Sequence, residues 1–143
     1  MGESRVAKIK TRDGEGYLAF HGIDLDPSEA AYEPSLRVEI SIGAFCGSSL
    51  LRVWRRGPDQ LFDYVDQHWR GWEGIQKWQD ESSNLQLEAT VSSLGDINLK
   101  FEMRESFTIS VGWHQVALSG VLILDGSSIQ MFAADLRKLC ALE

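Results

Sequence analysis

Chemistry at neutral pH would have to start from His21, His68 and His114, from Cys46 and Cys140, and from the carboxylates near them. The histidines stand singly on different elements. None has a second ligand two or four residues further along the chain, the spacing that sets two metal ligands on one strand or helix face. His21-Gly22-Ile23-Asp24-Leu25-Asp26 has a ligand-like look, but it lacks the glycine and the distal glutamate of a calcium loop and reads as a solvated acidic loop. Neither cysteine has a CxxC partner, so zinc and dithiol redox sites have no support, and two buried free thiols are expected. No GxSxG elbow, no Cys-His arrangement, no GxGxxG after a strand and no GxxxxGK[ST] occurs. Asp63 and Asp66, three apart, read as a hydrated helix face. No catalytic residue, metal or cofactor is therefore expected. A hydrolytic or ligand-binding site would have to be assembled from scattered residues, with His21, His114 and Asp24 as its first members.

The densest aromatic stretch is HWRGWEGIQKW, with Trp69, Trp72 and Trp78 around a Gly-Trp-Glu-Gly turn. Each ring, if buried, removes about 150–250 Å² from water. Two readings stand: cement between a helix and a sheet, or a recognition patch, since tryptophan is enriched at binding hot spots. The first is preferred for these three. Trp54 shares a strand face with Leu50 and Arg52 and reads as exposed.

At 143 residues the chain is expected to form one domain with a sizeable core. A net charge of −7 disfavours a nucleic-acid binder, which needs a basic field. The Arg52, Arg55 and Arg56 cluster is too small to reverse that. No apolar run approaches the roughly 20 residues that span a bilayer. The N-terminal segment lacks a signal peptide's apolar core. The expectation is a soluble, cytoplasmic protein with no nucleic-acid or membrane partner.

Elements that would position any site follow from periodicity. Residues 5–10 and 17–22 read as short strands about the turn Asp13–Gly16, and 24–34 as an acidic loop. In LRVEISI, Leu36, Val38, Ile40 and Ile42 alternate with Arg37, Glu39 and Ser41, the period of a half-buried strand. Residues 49–54 form its hairpin mate. A helix is predicted from Pro58 to the stop at Gly71, with Leu61, Phe62, Val65 and Trp69 on its buried stripe. The two alternating runs at 85–91 and 97–103, joined by SSLGD, predict a hairpin with one apolar and one polar face. Strands are predicted at 107–111 and 116–124, the latter apolar on both faces and so central and covered. A last helix carries Ile129, Phe132, Ala133, Leu136, Leu139 and Cys140 on one stripe, with Ser127 and Gln130 at capping-box spacing. The fold class is α+β: an antiparallel sheet, strongly twisted or split into two layers, with two amphipathic helices on it. Residues 36–69 and 107–141 share an order of hairpin then helix, a possible weak duplication.

The stretch from Phe62 to Arg104 resembles the bacterial domain-of-unknown-function family 6228. The resemblance rests on Gly71, Trp72, Gly74, Trp78, Leu85, Leu87 and Gly95, with FAADLRKL similar in the final helix. It implies no activity. A looser likeness runs to the WapI-type immunity proteins of contact-dependent toxin systems, which often carry His where this chain has Asp96. That likeness implies a small acidic cytoplasmic protein that neutralises a toxin by binding it, and the net charge leaves room for a basic partner. The expected function is thus a non-catalytic protein-binding module, monomeric or homodimeric. Its candidate contacts are Asp24, Asp26, Glu29, Tyr32, Glu33 and Trp54, and it would use either this acidic loop or an open sheet face.

Overall fold

The computed structural model describes residues 6–22, 35–53, 57–81, 83–109 and 112–140, with backbone alone at 35, 106–109 and 112–115. Strands β1 (Val6–Lys10), β2 (Gly16–Gly22), β3 (Ser35–Ile42) and β4 (Phe45–Arg52) form one antiparallel meander. Strands β5 (Gln76–Gln79), β6 (Leu85–Val91), β7 (Ile97–Ile109) and β8 (Gly112–Leu124) form a second. Each meander is followed by a helix, α1 (Asp59–Gln67) and α2 (Ile129–Cys140). The fold is α+β with its sheet split in two and not closed into a barrel.

Alternation in the sequence becomes sidedness in the sheets. Leu36, Val38 and Ile40 point inward while Arg37 is exposed. On the second sheet Leu85, Leu87 and Ala89 lie opposite Met103, Phe101 and Leu99, and all six are buried. Gly47 marks the crossing of the sheets, because a Cβ there would meet Met103 Cε at 2.7 Å.

Two seams join the sheets. At one, Thr11 bridges Leu124, with Arg12 N–H donating to the Ile123 carbonyl at 2.8 Å and Asp125 N–H to the Lys10 carbonyl at 3.1 Å. At the other, Asp80, only 2% exposed, accepts from Leu85 N–H through Oδ1 at 3.0 Å and from Arg52 N–H through Oδ2 at 3.2 Å. Two backbone donors are thereby satisfied by one buried carboxylate, and Glu81 N–H returns a bond to the Arg52 carbonyl.

The helices are fixed by phenylalanines. Phe132 of α2 meets Phe62 of α1 edge-to-face at 4.8 Å and Phe20 of β2 at 6.3 Å, and all three are buried. Trp69 does not join them and is 63% exposed. The reason is that α1 ends at Gln67, with His68 already at φ −115° and ψ 36°, so the helix stops two residues short of Trp69. Arg70 lies over its ring at 5.0 Å. Trp78 is buried as expected, but on β5, a strand that the sequence pattern did not reveal. Trp72 packs partly against the core and meets Tyr64 edge-on at 6.0 Å. Its Nε1–H is buried without an acceptor among the described residues. Such an orphaned donor costs on the order of 1–3 kcal/mol.

Four further expectations are corrected. Over their described residues, the strands expected at 107–111 and 116–124 are parts of two longer strands, β7 and β8, paired residue for residue without a bulge. β8 is not central: it is the edge of its sheet, with Val116, Val121 and Ile123 exposed, because the chain supplies no further strand to cover it among the described residues. Asp125, rather than a Ser127–Gln130 box, caps the last helical segment, accepting from Ser127 N–H at the head of a 3₁₀ turn, Gly126–Ser128. Cys46 is exposed on β4, while Cys140 is half-buried beside Asp59 and its thiol is pushed up to about 12, mainly by burial.

The helix–sheet contact therefore depends on phenylalanine. Phe132→Ala is expected to lower stability by about 3–5 kcal/mol in urea denaturation, and Trp69→Ala by less than about 0.5 kcal/mol. Equal losses would mean that Trp69 is part of the core.

Candidate functional site

The meander of the first sheet brings residues far apart in sequence to one outer face. Tyr17 and His21 lie on β2, Glu39 on β3 and Cys46 on β4. Glu39 is the hub. Its Oε2 accepts the Tyr17 hydroxyl at 2.6 Å, and its Oε1 lies 3.1 Å from His21 Nε2. Cys46 Sγ–H reaches Oε2 at 3.8 Å, and Lys8 Nζ sits 4.2 Å above the Tyr17 ring. The Tyr17 bond, with His21 adding to it, holds Glu39 below the usual carboxylate range against the opposing effect of burial. The same bond raises the Tyr17 phenol to about 12. These groups are engaged with one another on a pleated face. The carboxylate is a structural acceptor, and the phenol is held neutral rather than activated.

A second feature lies at the first seam. A cleft of about 540 Å³ opens between the β1–β2 turn, the β3–β4 turn and the end of β8. Its wall is apolar, from Ile42, Val121, Leu122 and Ile123, and its rim carries Arg12, Asp13 and Glu15. Arg12 is paired with Asp96 at 2.6 Å. Asp13 accepts from Glu15 N–H at 2.9 Å and from the Thr11 hydroxyl at 2.7 Å, which hold it below the usual carboxylate range. With Arg12 neutralised, the rim is acidic. Phe45, the register partner of Ile42, is 67% exposed beside it. The exposed apolar side chains Val121 and Ile123 thus line one concavity, with exposed Phe45 paired across the hairpin to Ile42 of its wall.

Asp24, Asp26, Glu29, Tyr32, Glu33 and Trp54 all lie outside the described residues, as does the side chain of His114. His21 is brought to Glu39. His68 stacks on Tyr64 at 3.9 Å with its Nδ1 2.9 Å from the Tyr64 carbonyl. Asp63 pairs with Arg137 at 2.6 Å and so links the helices. Among the described residues, no three His, Cys, Asp or Glu side chains converge as metal ligands would. No helix among them is long and apolar enough to cross a membrane. Sequence reading missed both the Glu39 hub and the cleft. The polar alternation of LRVEISI exposed Glu39 as outward-facing, but only the register Ala19↔Glu39 reveals Tyr17 and His21 as its neighbours.

The hub makes a titration prediction. One of the three tyrosines should ionise near pH 12 instead of the ordinary 10 in an absorbance titration with circular dichroism as the folding control. Glu39→Gln should return that step toward 10. The sign for stability follows: Tyr17's contribution is complete below pH 10 and is lost as pH rises toward about 12. Glu39's contribution is present above the ordinary carboxylate range and is lost as pH falls through its lowered value. A single shared step near 10 would contradict the Tyr17–Glu39 bond.

Comparison with known proteins places the chain by family alone. No curated protein and no solved structure matches it. The family of unknown function DUF6228 matches residues 9–143, which takes in every strand from β2 onward, both helices and all of the rim and wall of the cleft. The Gly71, Trp72, Gly74, Trp78, Leu85, Leu87 and Gly95 pattern falls within that match, and the chain belongs to this family.

Proposed function

We propose that this chain is a non-catalytic protein-binding module of the immunity-protein type, which neutralises a basic toxin by covering it. The observation that carries the reading is the acidic-rimmed, apolar-walled cleft at the first seam, flanked by exposed Phe45, Val121 and Ile123. Apolar surface of this kind, ringed by charge, is what a protein interface uses. The net charge of −7 supports a basic partner, because complementary fields speed encounter and reject wrong partners. The titratable groups of the outer face also fit a recognition role better than a reactive one. Glu39 has both oxygens engaged, and Tyr17 is held neutral.

The test is protection. A candidate toxin domain drawn from the genes adjacent to this chain's own is expressed in a sensitive host with and without the chain, and the purified pair is titrated calorimetrically. The expected result is restored growth and a one-to-one complex whose association rate falls with added salt. Unrestored growth together with no measurable complex would contradict the reading.

A further inference from the structure

Four strand edges exist in the two sheets, and three of them are guarded. β1 packs against α2, β4 runs into the Asp80 seam, and β5 is four residues long. β8 differs. It is thirteen residues long, pairs with β7 without a bulge, and contains no Lys, Arg, Asp, Glu or Pro. These are the devices that normally blunt an edge. The seam bonds show which backbone groups face outward. The Ile123 carbonyl and Asp125 N–H point away from β7, so the odd-numbered residues of β8 present their amides to the edge. Ala117, Ser119 and Val121 are of this set, all are exposed, and nothing among the described residues bonds to their backbones from outside. The edge ends where Arg12 takes the Ile123 carbonyl, and that is where the cleft begins.

We infer that an extended segment of the partner protein adds to the second sheet as a further antiparallel or parallel strand along β8, with one apolar side chain in the cleft and a lysine or arginine beside it. This rests on the protein-binding reading above and gives its mode. Backbone pairing supplies affinity in such strand addition, and alternate side-chain pockets supply specificity. The cleft walls, Ile42, Val121 and Ile123, receive the apolar residue. Asp13 and Glu15 receive the basic one, since the Arg12 charge is already paired with Asp96. Charge argues against a second copy of β8 as the occupant: GWHQVALSGVLIL carries no lysine or arginine to meet that rim.

A phage-displayed library of short random peptides, panned on the full chain, tests this. Enriched peptides should alternate apolar residues and carry Lys or Arg toward one end. Ser119→Pro removes an outward N–H while leaving the β7 ladder intact, as proline on an edge strand does. It should weaken the enriched peptides at least about tenfold, the effect expected from losing one or two backbone hydrogen bonds. Should that variant misfold, N-methylation of the peptide decides on the unaltered protein. One alternate set of methylated amides should abolish binding and the other should not. Indifference of the peptides to Ser119→Pro and to both methylation sets would overturn the inference. So would a wild-type dimer that competes with the peptides and dissociates in Ser119→Pro. If the toxin domain binds Ser119→Pro and Val121→Arg as it binds the wild type, the strand mode falls while the binding function stands. If edge-directed peptides bind and the toxin domain does not, the immunity reading falls while the edge stands.

Discussion

The capture of the end of β8 by the end of β1 is the constraint from which the rest of the structure follows. Two backbone hydrogen bonds around the Thr11–Leu124 bridge tie the last strand of one meander to the first strand of the other. The Arg12–Asp96 ion pair reinforces this seam at the surface, where such a pair contributes at most about 1 kcal/mol. The same point turns the chain. Asp125, whose N–H closes the bridge, uses its carboxylate to cap the 3₁₀ turn that opens into α2. The turn sets the start of α2, and α2 in turn carries Phe132 to Phe20 and Phe62. Asp80 joins the opposite side, so each sheet holds the other at two places rather than by side-chain packing alone.

The surface inherits its division of labour from this closure. The outer face of the first sheet is a finished polar network, with Glu39 satisfied by groups from both neighbouring strands. Because the seam engages β8 only at its end, the remainder of that strand keeps its outward backbone groups and the exposed Val116 and Val121. The cleft is the notch left where the captured part of β8 meets the free part. An acidic rim, an apolar wall and a strand edge unpaired among the described residues thus lie side by side on one surface.

Much of the fold is legible in the sequence, wherever a side chain's fate depends on its near neighbours. The β6–β7 hairpin follows from strict alternation of Leu85, Leu87 and Ala89 against Leu99, Phe101 and Met103. The stripe of α2 follows from spacing that repeats over three turns, and five of its residues are buried as read. What fails depends on distant partners. ALSGVLIL is apolar on both faces whether a strand is central or awaits a partner, so burial was the wrong inference for Val121 and Ile123. The spacing of Trp69 fits the stripe of a helix that ends two residues before it. Trp78 sits on a four-residue strand too short to show a period. The Glu39 hub and the cleft were illegible because both are products of register and of the seam, which no local pattern encodes.

Native-state hydrogen exchange along β8 tests the open edge most directly, since it reads each backbone amide separately. The amides of Leu118, Gly120 and Leu122 face β7 and should exchange slowly, as should that of Asp125, which is bonded to Lys10. The amides of Ala117, Ser119 and Val121 should exchange orders of magnitude faster. Uniform protection of both sets in the isolated protein would show that the edge is already covered and would contradict its role as the docking strand.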